Sequence, residues 1–302
     1  MQSKYYVLLL LTSFLWGGNF VAGKFLVNHA SPLFLTELRW IIALICLIPI
    51  VLYFDRSLRF PRAALVPLVL MGLTGVLLFN VLMFIALKYT TADNVGLLST
   101  LNPISIAIAS FCFYREKLSK SQLAGMMISF AGIFVVISHG DIYRLVNFHF
   151  NIGDLFMLGA VAIWGLYSVV AKKAMRYVSP YKATLWSAIF GVIMISPFII
   201  NDHTISSPTP SFWIAALYSS IGATVLAMIF WNIGVQKVGG TKSGMFLNFN
   251  PIFTAILAFI FLGEKLTLTQ FIGSIVVILG VYIFTAPKKS FLKIPTTKAR
   301  TH

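Results

Sequence analysis

Acidic residues are scarce in this chain, which carries only 8 Asp and Glu against 23 Lys and Arg, a formal net charge of +15. Charged residues of both signs make up only 10% of its 302 residues, whereas apolar residues make up 59%. A soluble domain has about a quarter charged residues, so this chain has too little polar surface to cover a water-soluble core. The composition therefore excludes a cytosolic enzyme, a nucleic-acid-binding module and a secreted disulfide scaffold.

Signatures of catalytic chemistry are also missing. The 2 cysteines, Cys46 and Cys112, lie inside apolar runs, a placement that favours neither a disulfide nor thiol chemistry. No phosphate-binding G-x-x-x-x-G-K-[ST] loop occurs, and the 5 histidines show no metal-ligand spacing. The sequence thus predicts no catalytic residues, no metal and no cofactor. Because the basic residues are spread between apolar runs, it predicts no nucleic-acid partner either.

Long apolar runs are what the chain does have. A helix needs about 20 apolar residues to cross the hydrocarbon core of a bilayer. Ten segments meet this need: 5–27, 33–54, 64–87, 92–113, 121–139, 152–172, 181–201, 212–236, 242–263 and 268–286. The first shows no cleavage site, so we expect it to remain in the membrane. The sequence therefore predicts an all-α polytopic membrane protein with ten transmembrane helices in contact with the lipid bilayer.

The basic residues predict how these helices are oriented. With both termini in the cytoplasm, the inner segments hold 18 Lys and Arg and the outer loops hold 4. Cytoplasmic segments of membrane proteins are enriched in Lys and Arg. We therefore predict that both termini are cytoplasmic, that residues 287–302 form a basic cytoplasmic tail, and that the protein lies in the cell membrane.

The chain is also a repeat of itself at an offset of 148 residues. The aligned groups include Trp16-Gly17 with Trp164-Gly165, Ser31-Pro32 with Ser179-Pro180, Asn102-Pro103 with Asn250-Pro251, and Glu116-Lys117-Leu118 with Glu264-Lys265-Leu266. Chance does not produce one fixed offset of this kind. Each unit holds five spans, an odd number, so the two units cross the membrane in opposite directions. Inverted repeats are common in secondary transporters, although gene duplication also builds channels and intramembrane enzymes.

Four features of this repeat resemble the drug/metabolite transporter superfamily, in particular its EamA-type ten-helix transporters. They are the tandem five-helix units, the Trp-Gly pair in each first helix, the Asn-Pro pair in each fourth, and the Glu-Lys-Leu that follows. On this resemblance, residues 5–139 and 152–286 are two EamA-like five-helix repeats. It implies a carrier of small metabolites, commonly an exporter of amino acids, in which the first, third and fourth helices of each repeat line a central cavity.

Candidate substrate-binding residues lie on those helices. Pro103 and Pro251 stand near the middle of matching spans, where each frees a backbone carbonyl that must face protein or a water-filled cavity. Asn102 and Asn250 beside them either bind the solute or satisfy the interrupted backbone. The remaining candidates are polar, aromatic and Met side chains: Trp16, Asn19, Asn80, Met83, Trp164, Tyr167, Met228, Trp231 and Asn248. Each aromatic residue has simple packing as its alternative role.

Two charged residues, Glu37 and Arg39, fall within the second span, about one turn from its outer end. Because they are two positions apart on a helix, they point to different faces. Arg39 could attract an anionic group of the substrate, but its shallow position favours a structural or gating pair with another helix. Glu37 is the one plausible proton carrier.

Four glycines are interpreted as packing residues rather than as a site. Gly125 and Gly132 in span five, and Gly273 and Gly280 in span ten, are spaced seven residues apart and so share a helix face. Small residues there let helices approach closely. The same spans could also form a homodimer contact.

These observations predict a secondary transporter. It would move a small metabolite, an amino acid or a similar solute, outward by alternating access around a midplane cavity. A passive channel is the nearer alternative. An intramembrane enzyme acting on a lipid-linked substrate is the more distant one, because it would need a membrane-facing cluster of Asp, Glu or His that the sequence lacks.

Overall fold

The computed structural model describes residues 3–138, 151–200, 205–206, 208–262 and 267–286. Within these ranges the chain is helical and contains no β-strand. The helices are α1 (Ser3–Leu26), α2 (Pro32–Asp55), α3 (Arg62–Tyr89), α4 (Ala92–Ser99), α5 (Asn102–Tyr114), α6 (Lys120–Ser138), α7 (Ile152–Ala174), α8 (Pro180–Ile195), α9 (Pro210–Val238), α10 (Gly240–Met245), α11 (Asn250–Leu262) and α12 (Leu268–Thr285). Helices α1 to α6 form the first half of the chain and α7 to α12 the second.

Eight helical segments among the described residues are long and apolar enough to cross a membrane, with α4 and α5 counted together. Helix α6 adds a shorter apolar stretch, Lys120–Val136. The predicted span 242–263 consists of α10, a 3-10 turn over Phe246–Phe249, and α11. A polytopic helical membrane protein is therefore confirmed. The count of ten spans and the cytoplasmic position of both termini stay predictions, and the tail 287–302 lies outside the described residues.

The second helix of each half begins at a Ser-Pro pair. The hydroxyls of Ser31 and Ser179 accept hydrogen bonds from the backbone N–H groups of Phe34 and Lys182, three residues further on. A proline follows each serine at the first helical position, where its missing N–H has no helical partner to lose. The repeated motif thus sets where α2 and α8 begin.

The third helix of each half contains a π-helical stretch, Gly72–Leu78 in α3 and Tyr218–Leu226 in α9. In the first of these the backbone N–H of Phe79 bonds to the carbonyl of Thr74, five residues back. The two stretches occupy matching places, because the offset of 148 carries the first onto residues 220–226. Single π turns inside membrane or soluble helices are often found at functional sites. No pattern in the sequence predicted these two stretches.

The fourth predicted span of each half is interrupted. Pro103 and Pro251 are the second residues of α5 and α11. The sequence predicted each proline near the middle of a span, where it would free a backbone carbonyl, but each one begins a new helix, where no backbone N–H is required. Between α4 and α5 the chain turns tightly, with the N–H of Thr100 bonded to the carbonyl of Leu97 at 3.0 Å.

The two halves pack through their first helices. Helix α1 of the first half packs against α9 and α11 of the second, and helix α7 of the second half packs against α3 and α5 of the first. Helices α2 and α8 pack against each other. This reciprocal exchange places side chains from both halves around a shared interior.

Helices α6 and α12 pack directly against each other along their glycine faces. A Cβ atom added at Gly132 would lie only 2.6 Å from the backbone nitrogen of Val277, which leaves no room for a side chain. The packing interpretation of Gly125, Gly132, Gly273 and Gly280 is thus confirmed. Their faces are used within one chain, so a homodimer through spans five and ten, still a prediction, would need other faces of these helices.

Candidate substrate cavity

A cavity of about 30 Å³ lies between the two halves. Helices α1, α2, α3, α7 and α9 contribute to its lining together with residues at the two interruptions: Trp16, Asn19, Phe20, Arg39, Trp40, Gly75, Phe79, Asn80, Met83, Asn102, Trp164, Met228, Leu247 and Asn250. A mainly apolar and aromatic lining with a few polar groups is typical of sites that bind small molecules.

Three tryptophans form a cluster at the interface between the halves. The ring centroids of Trp16 and Trp164 are 5.1 Å apart, and Trp231 stands 5.5 Å from the first and 5.6 Å from the second. Phe79 lies 4.7 Å from Trp164. These separations are typical of favourable aromatic contacts. The tryptophans of the two Trp-Gly motifs therefore meet and form one wall of the cavity.

Asn102 and Asn250, the matching asparagines at the interruptions, both line the cavity. Their side-chain oxygens are buried and accept no hydrogen bond from the described residues. Leaving such an acceptor unpaired costs about 1–3 kcal/mol. Neither oxygen bonds to the interrupted backbone, so each remains an unpartnered acceptor on a residue of the cavity wall.

Arg39 lies deeper than the sequence indicated. It is seven residues beyond Pro32, the first residue of α2, and so about 10 Å along the helix. Its side chain is only 7% exposed. The Nε atom donates to the hydroxyl of Thr224, and Nη2 donates to the carbonyl of Ala223 at 3.4 Å, both within the π stretch of α9. Nη1 has no partner among the described residues.

Comparison with known proteins identifies the family. The model of the EamA-like transporter family matches residues 3–138 and, again, residues 151–286. The chain belongs to the EamA-like transporter family. The two matched ranges are separated by the same 148 residues that relate the two halves of the sequence.

Several relatives of this EamA-like protein are named as transporters. An uncharacterized transporter of Archaeoglobus fulgidus is 30% identical over 95% of this chain and 99% of its own length. The uncharacterized transporter YyaM of Bacillus subtilis is 29% identical over 91% of this chain and 92% of its own. The S-adenosylmethionine/S-adenosylhomocysteine transporter of Chlamydia muridarum is 26% identical over 85% and 84%.

A crystal structure of another protein superposes on this EamA-like chain with a TM-score of 0.72, covering 94% of this chain and 96% of the other. The two sequences are 22% identical, so the likeness concerns the fold alone. Family, relatives and membrane-spanning helices together establish a multi-pass membrane transporter of small solutes, located in the cell membrane.

Most of the predicted substrate-binding residues of this EamA-like transporter line the cavity: Trp16, Asn19, Asn80, Met83, Asn102, Trp164, Met228 and Asn250. The structure places the other three behind the lining. Tyr167 donates its hydroxyl proton to Asn232 Oδ1 at 3.1 Å, and Asn248 donates to Ser129 Oγ at 2.9 Å. Trp231 is fully buried behind the other tryptophans. Helical spacing alone does not separate such wall-supporting residues from the wall.

Five further residues line the cavity that were not predicted from the sequence: Phe20, Trp40, Gly75, Phe79 and Leu247. Trp40 was missed because the second helix of each repeat was expected to lie outside the cavity. Its neighbour Arg39 was the available signal, since a charged residue in a membrane helix faces the protein interior. Phe79 adjoins Asn80, which had been identified.

Two further amides of the cavity are partly engaged by the protein. Asn80 Nδ2 donates to the carbonyls of Gly75 at 2.8 Å and Val76 at 2.9 Å, both in the π stretch of α3. Asn19 Oδ1 accepts a hydrogen bond from Ser219 Oγ at 2.9 Å, in the π stretch of α9. These side chains therefore hold the two π stretches in place as well as lining the cavity.

Glu37 is not part of the lining. Its Oε1 accepts a hydrogen bond from Ser196 Oγ at 2.8 Å, just beyond the end of α8. Glu37 thus contacts α8 while Arg39 contacts α9, as their spacing predicts. Among the described residues only Lys172 and Glu116 form an ion pair, so Glu37 does not neutralise Arg39. A proton-carrying role for Glu37 stays a prediction, at a position outside the cavity.

Proposed function

We propose that this protein is a secondary carrier that exports a small metabolite, an amino acid or a similar solute, by alternating access between its two halves. One observation carries the proposal: Asn102 and Asn250, which match each other in the repeat, both line a cavity between the halves, and the side-chain oxygen of each has no partner among the described residues. Related halves of opposite orientation can exchange inward-facing and outward-facing states around such a central site.

The lining also favours a class of solute. Trp16, Trp164 and Met228 suit an apolar portion, while the two asparagine oxygens suit N–H or O–H donors. A small organic solute with both features matches the chemistry of this lining. One relative of this chain is named as an S-adenosylmethionine/S-adenosylhomocysteine transporter, and the solutes in its name combine such features.

We infer that the protein is not an enzyme. The relatives are named as transporters. Within the described part of the chain, no group of three or more His, Cys, Asp and Glu residues is placed to hold a metal ion.

Counterflow in proteoliposomes tests the carrier proposal. Vesicles are loaded with a mixed metabolite pool, and exchange is read by mass spectrometry for wild type, Asn102→Ala and Asn250→Ala. We expect saturable exchange of one compound class, reduced about tenfold or more by each variant, because each loses an acceptor for a buried hydrogen bond. Asn28→Ala is the matched control, since Asn28 is exposed and bonds only to the carbonyl of Lys24.

The alternatives give different results. A passive channel would show neither saturation nor counterflow. Loss of transport in proportion to loss of expression would refute the assignment of Asn102 and Asn250 to the site. Direction is read separately, by comparing efflux from loaded cells that express or lack the protein, and faster efflux is expected with it.

A further inference from the structure

The guanidinium of Arg39 has no neutralising partner among the described residues. Arginine stays charged in proteins, and a charge within a membrane helix is costly unless it is paired or faces a polar cavity. The carboxylates that the structure describes are all engaged elsewhere: Glu37, Asp55, Glu116 and Asp154 bond respectively to Ser196, Ser179, Lys172 and Thr90. Arg39 is left with a hydroxyl and a carbonyl, both uncharged.

Helix α9 holds this guanidinium in a fixed orientation while leaving much of it free. A guanidinium has five N–H donors. The π stretch of α9 takes one from Nε, at Thr224, and one from Nη2, at Ala223. Nη1 is buried with no acceptor, and so is the indole Nε1 of Trp40, the next residue along α2. Both residues line the cavity, so two unpartnered donors belong to its wall at the position of a fixed positive charge.

We propose that Arg39 is the anion-binding subsite of this cavity and that the transported solute carries a carboxylate, which pairs with it. The inference rests on the carrier function proposed above and adds the charge of the solute. A carboxylate matches the planar fork of a guanidinium through two parallel hydrogen bonds. It would supply the negative charge and the acceptors that the described residues do not.

The repeat gives this subsite a direction. The position in the second half that matches Arg39 is Ser187, whose hydroxyl bonds to the carbonyl of Thr184 at 2.9 Å. Only one side of the cavity is thus cationic among the described residues. The carboxylate of the solute lies toward α2 and α9, and its N–H or O–H donors remain for Asn102 and Asn250.

Matched solutes test the subsite on the wild-type protein, with no variant that has to fold. Proteoliposomes are loaded with a mixture of α-amino acids, monocarboxylates and the primary carboxamide of each. We expect the acids to exchange at least about tenfold faster than their carboxamides, because a hydrogen-bonded charge is replaced by a neutral amide of similar shape. Equal exchange of acids and carboxamides would overturn the inference and leave the carrier function standing.

Variants then locate the effect. Arg39→Gln should slow the acids about tenfold or more and change the carboxamides less than about twofold, while Arg39→Lys, which keeps the charge but loses the fork, should fall between. Arg59→Gln is the matched control, an exposed arginine outside this cavity. An Arg39→Gln protein that still prefers acids over carboxamides would refute the assignment.

A binding measurement separates the two proposals. The melting temperature of the detergent-solubilised protein is recorded with the same acids and carboxamides at constant ionic strength. Stabilisation by acids in wild type but not in Arg39→Gln would support the subsite even if no solute exchanged, in which case the carrier function alone would fail. Absence of both exchange and stabilisation would overturn both.

Discussion

The two halves of the protein use different side chains to donate hydrogen bonds to matching backbone carbonyls. Each π stretch contains a carbonyl that accepts a side-chain hydrogen bond, on Gly75 in the first half and on the matching Ala223 in the second. In the first half Asn80, on the same helix, donates to that carbonyl at 2.8 Å. The second half has Met228 where the first has Asn80, so no amide is present. Its carbonyl accepts instead from Trp16 at 2.8 Å and from Arg39.

The difference explains an asymmetry between the matching tryptophans. The indole N–H of Trp16 has its acceptor across the interface, whereas that of Trp164 has none, because Asn80 already occupies the corresponding carbonyl of Gly75. Features that both halves share, such as the π stretches, build the cavity. Features that one half has alone, above all Arg39, give the cavity its polarity.

Making the halves alike should have the largest effect on stability. Asn80→Met copies the second half into the first and leaves the carbonyls of Gly75 and Val76 without their donor. We expect the free energy of unfolding, measured by SDS titration in mixed micelles, to fall by about 3 kcal/mol. Met228→Leu, which preserves volume, is the control and should cost under about 1.5 kcal/mol. Equal losses of stability in Asn80→Met and Met228→Leu would contradict this role of the Asn80 amide.

The α6–α12 contact is where the halves should behave identically. A Cβ atom added at Gly132 would lie 2.6 Å from the backbone nitrogen of Val277. One added at the matching Gly280 would lie 2.4 Å from the backbone nitrogen of Ser129. Alanine at either position should lower the free energy of unfolding by about 1–3 kcal/mol through overpacking, by the same assay. Gly96→Ala, whose Cβ would meet nothing closer than 4.0 Å, should leave it unchanged or slightly raised. Clearly unequal losses of stability at Gly132 and Gly280 would contradict the symmetry of the α6–α12 contact.

A smaller loss of stability is expected when the contact between α9 and Arg39 is weakened. Thr224→Val removes the hydroxyl that accepts from Arg39 Nε while preserving the shape of the side chain. The expected loss of stability is about 1 kcal/mol, with a shift in the tryptophan emission maximum as Arg39 and Trp16 rearrange around Ala223. Thr74→Val is the control in the first half, since that hydroxyl bonds only to Leu70 of its own helix. The opposite ranking would contradict a supporting role for Thr224.

The smallest effect concerns the matching lysines that follow the two cavity tryptophans. Lys172 pairs with Glu116, with side chains 28% and 39% exposed, whereas Lys24 donates to the carbonyls of Leu87 and Thr90 at 2.7 and 2.8 Å. Glu116→Gln should cost under about 1 kcal/mol, and the cost should vanish at high salt. Thermal melts of Lys24→Met should show a loss that salt does not change, because its acceptors are uncharged. A salt-dependent loss in Lys24→Met would mean that its partner is charged.

Much of the architecture could be predicted because it depends on quantities that the sequence carries directly. Apolar run length located the helices, and the fixed offset located Trp16 with Trp164 and Asn102 with Asn250, all of which reach the cavity. The glycine spacing correctly predicted close helix packing. Each of these predictions depends on a local pattern or on the repeat. None of them requires knowledge of which helices touch.

What could not be predicted depends on contacts between distant segments. The π stretches have no sequence signal that the two halves share, because Gly72 and Gly75 in the first half are matched by Ser220 and Ala223 in the second. Arg39 was placed near the membrane surface by its position in a run, but its bonds to α9 place it beside the cavity. Asn248 lies only two positions before Asn250, yet its side chain bonds to Ser129 of α6, whereas Asn250 lines the cavity.

The π stretches of α3 and α9 also determine where the chain can change its length. Removing one residue from a regular helix rotates everything beyond it by about 100° and would turn a cavity-lining face toward lipid. A π stretch already holds a residue in excess of the regular helix, so losing one there restores the α-helix and leaves both flanks facing as before. Gly72–Leu78 and Tyr218–Leu226 are therefore places within the membrane helices where an insertion could have entered, and could be lost, without turning Asn80 or Met228 away from the cavity.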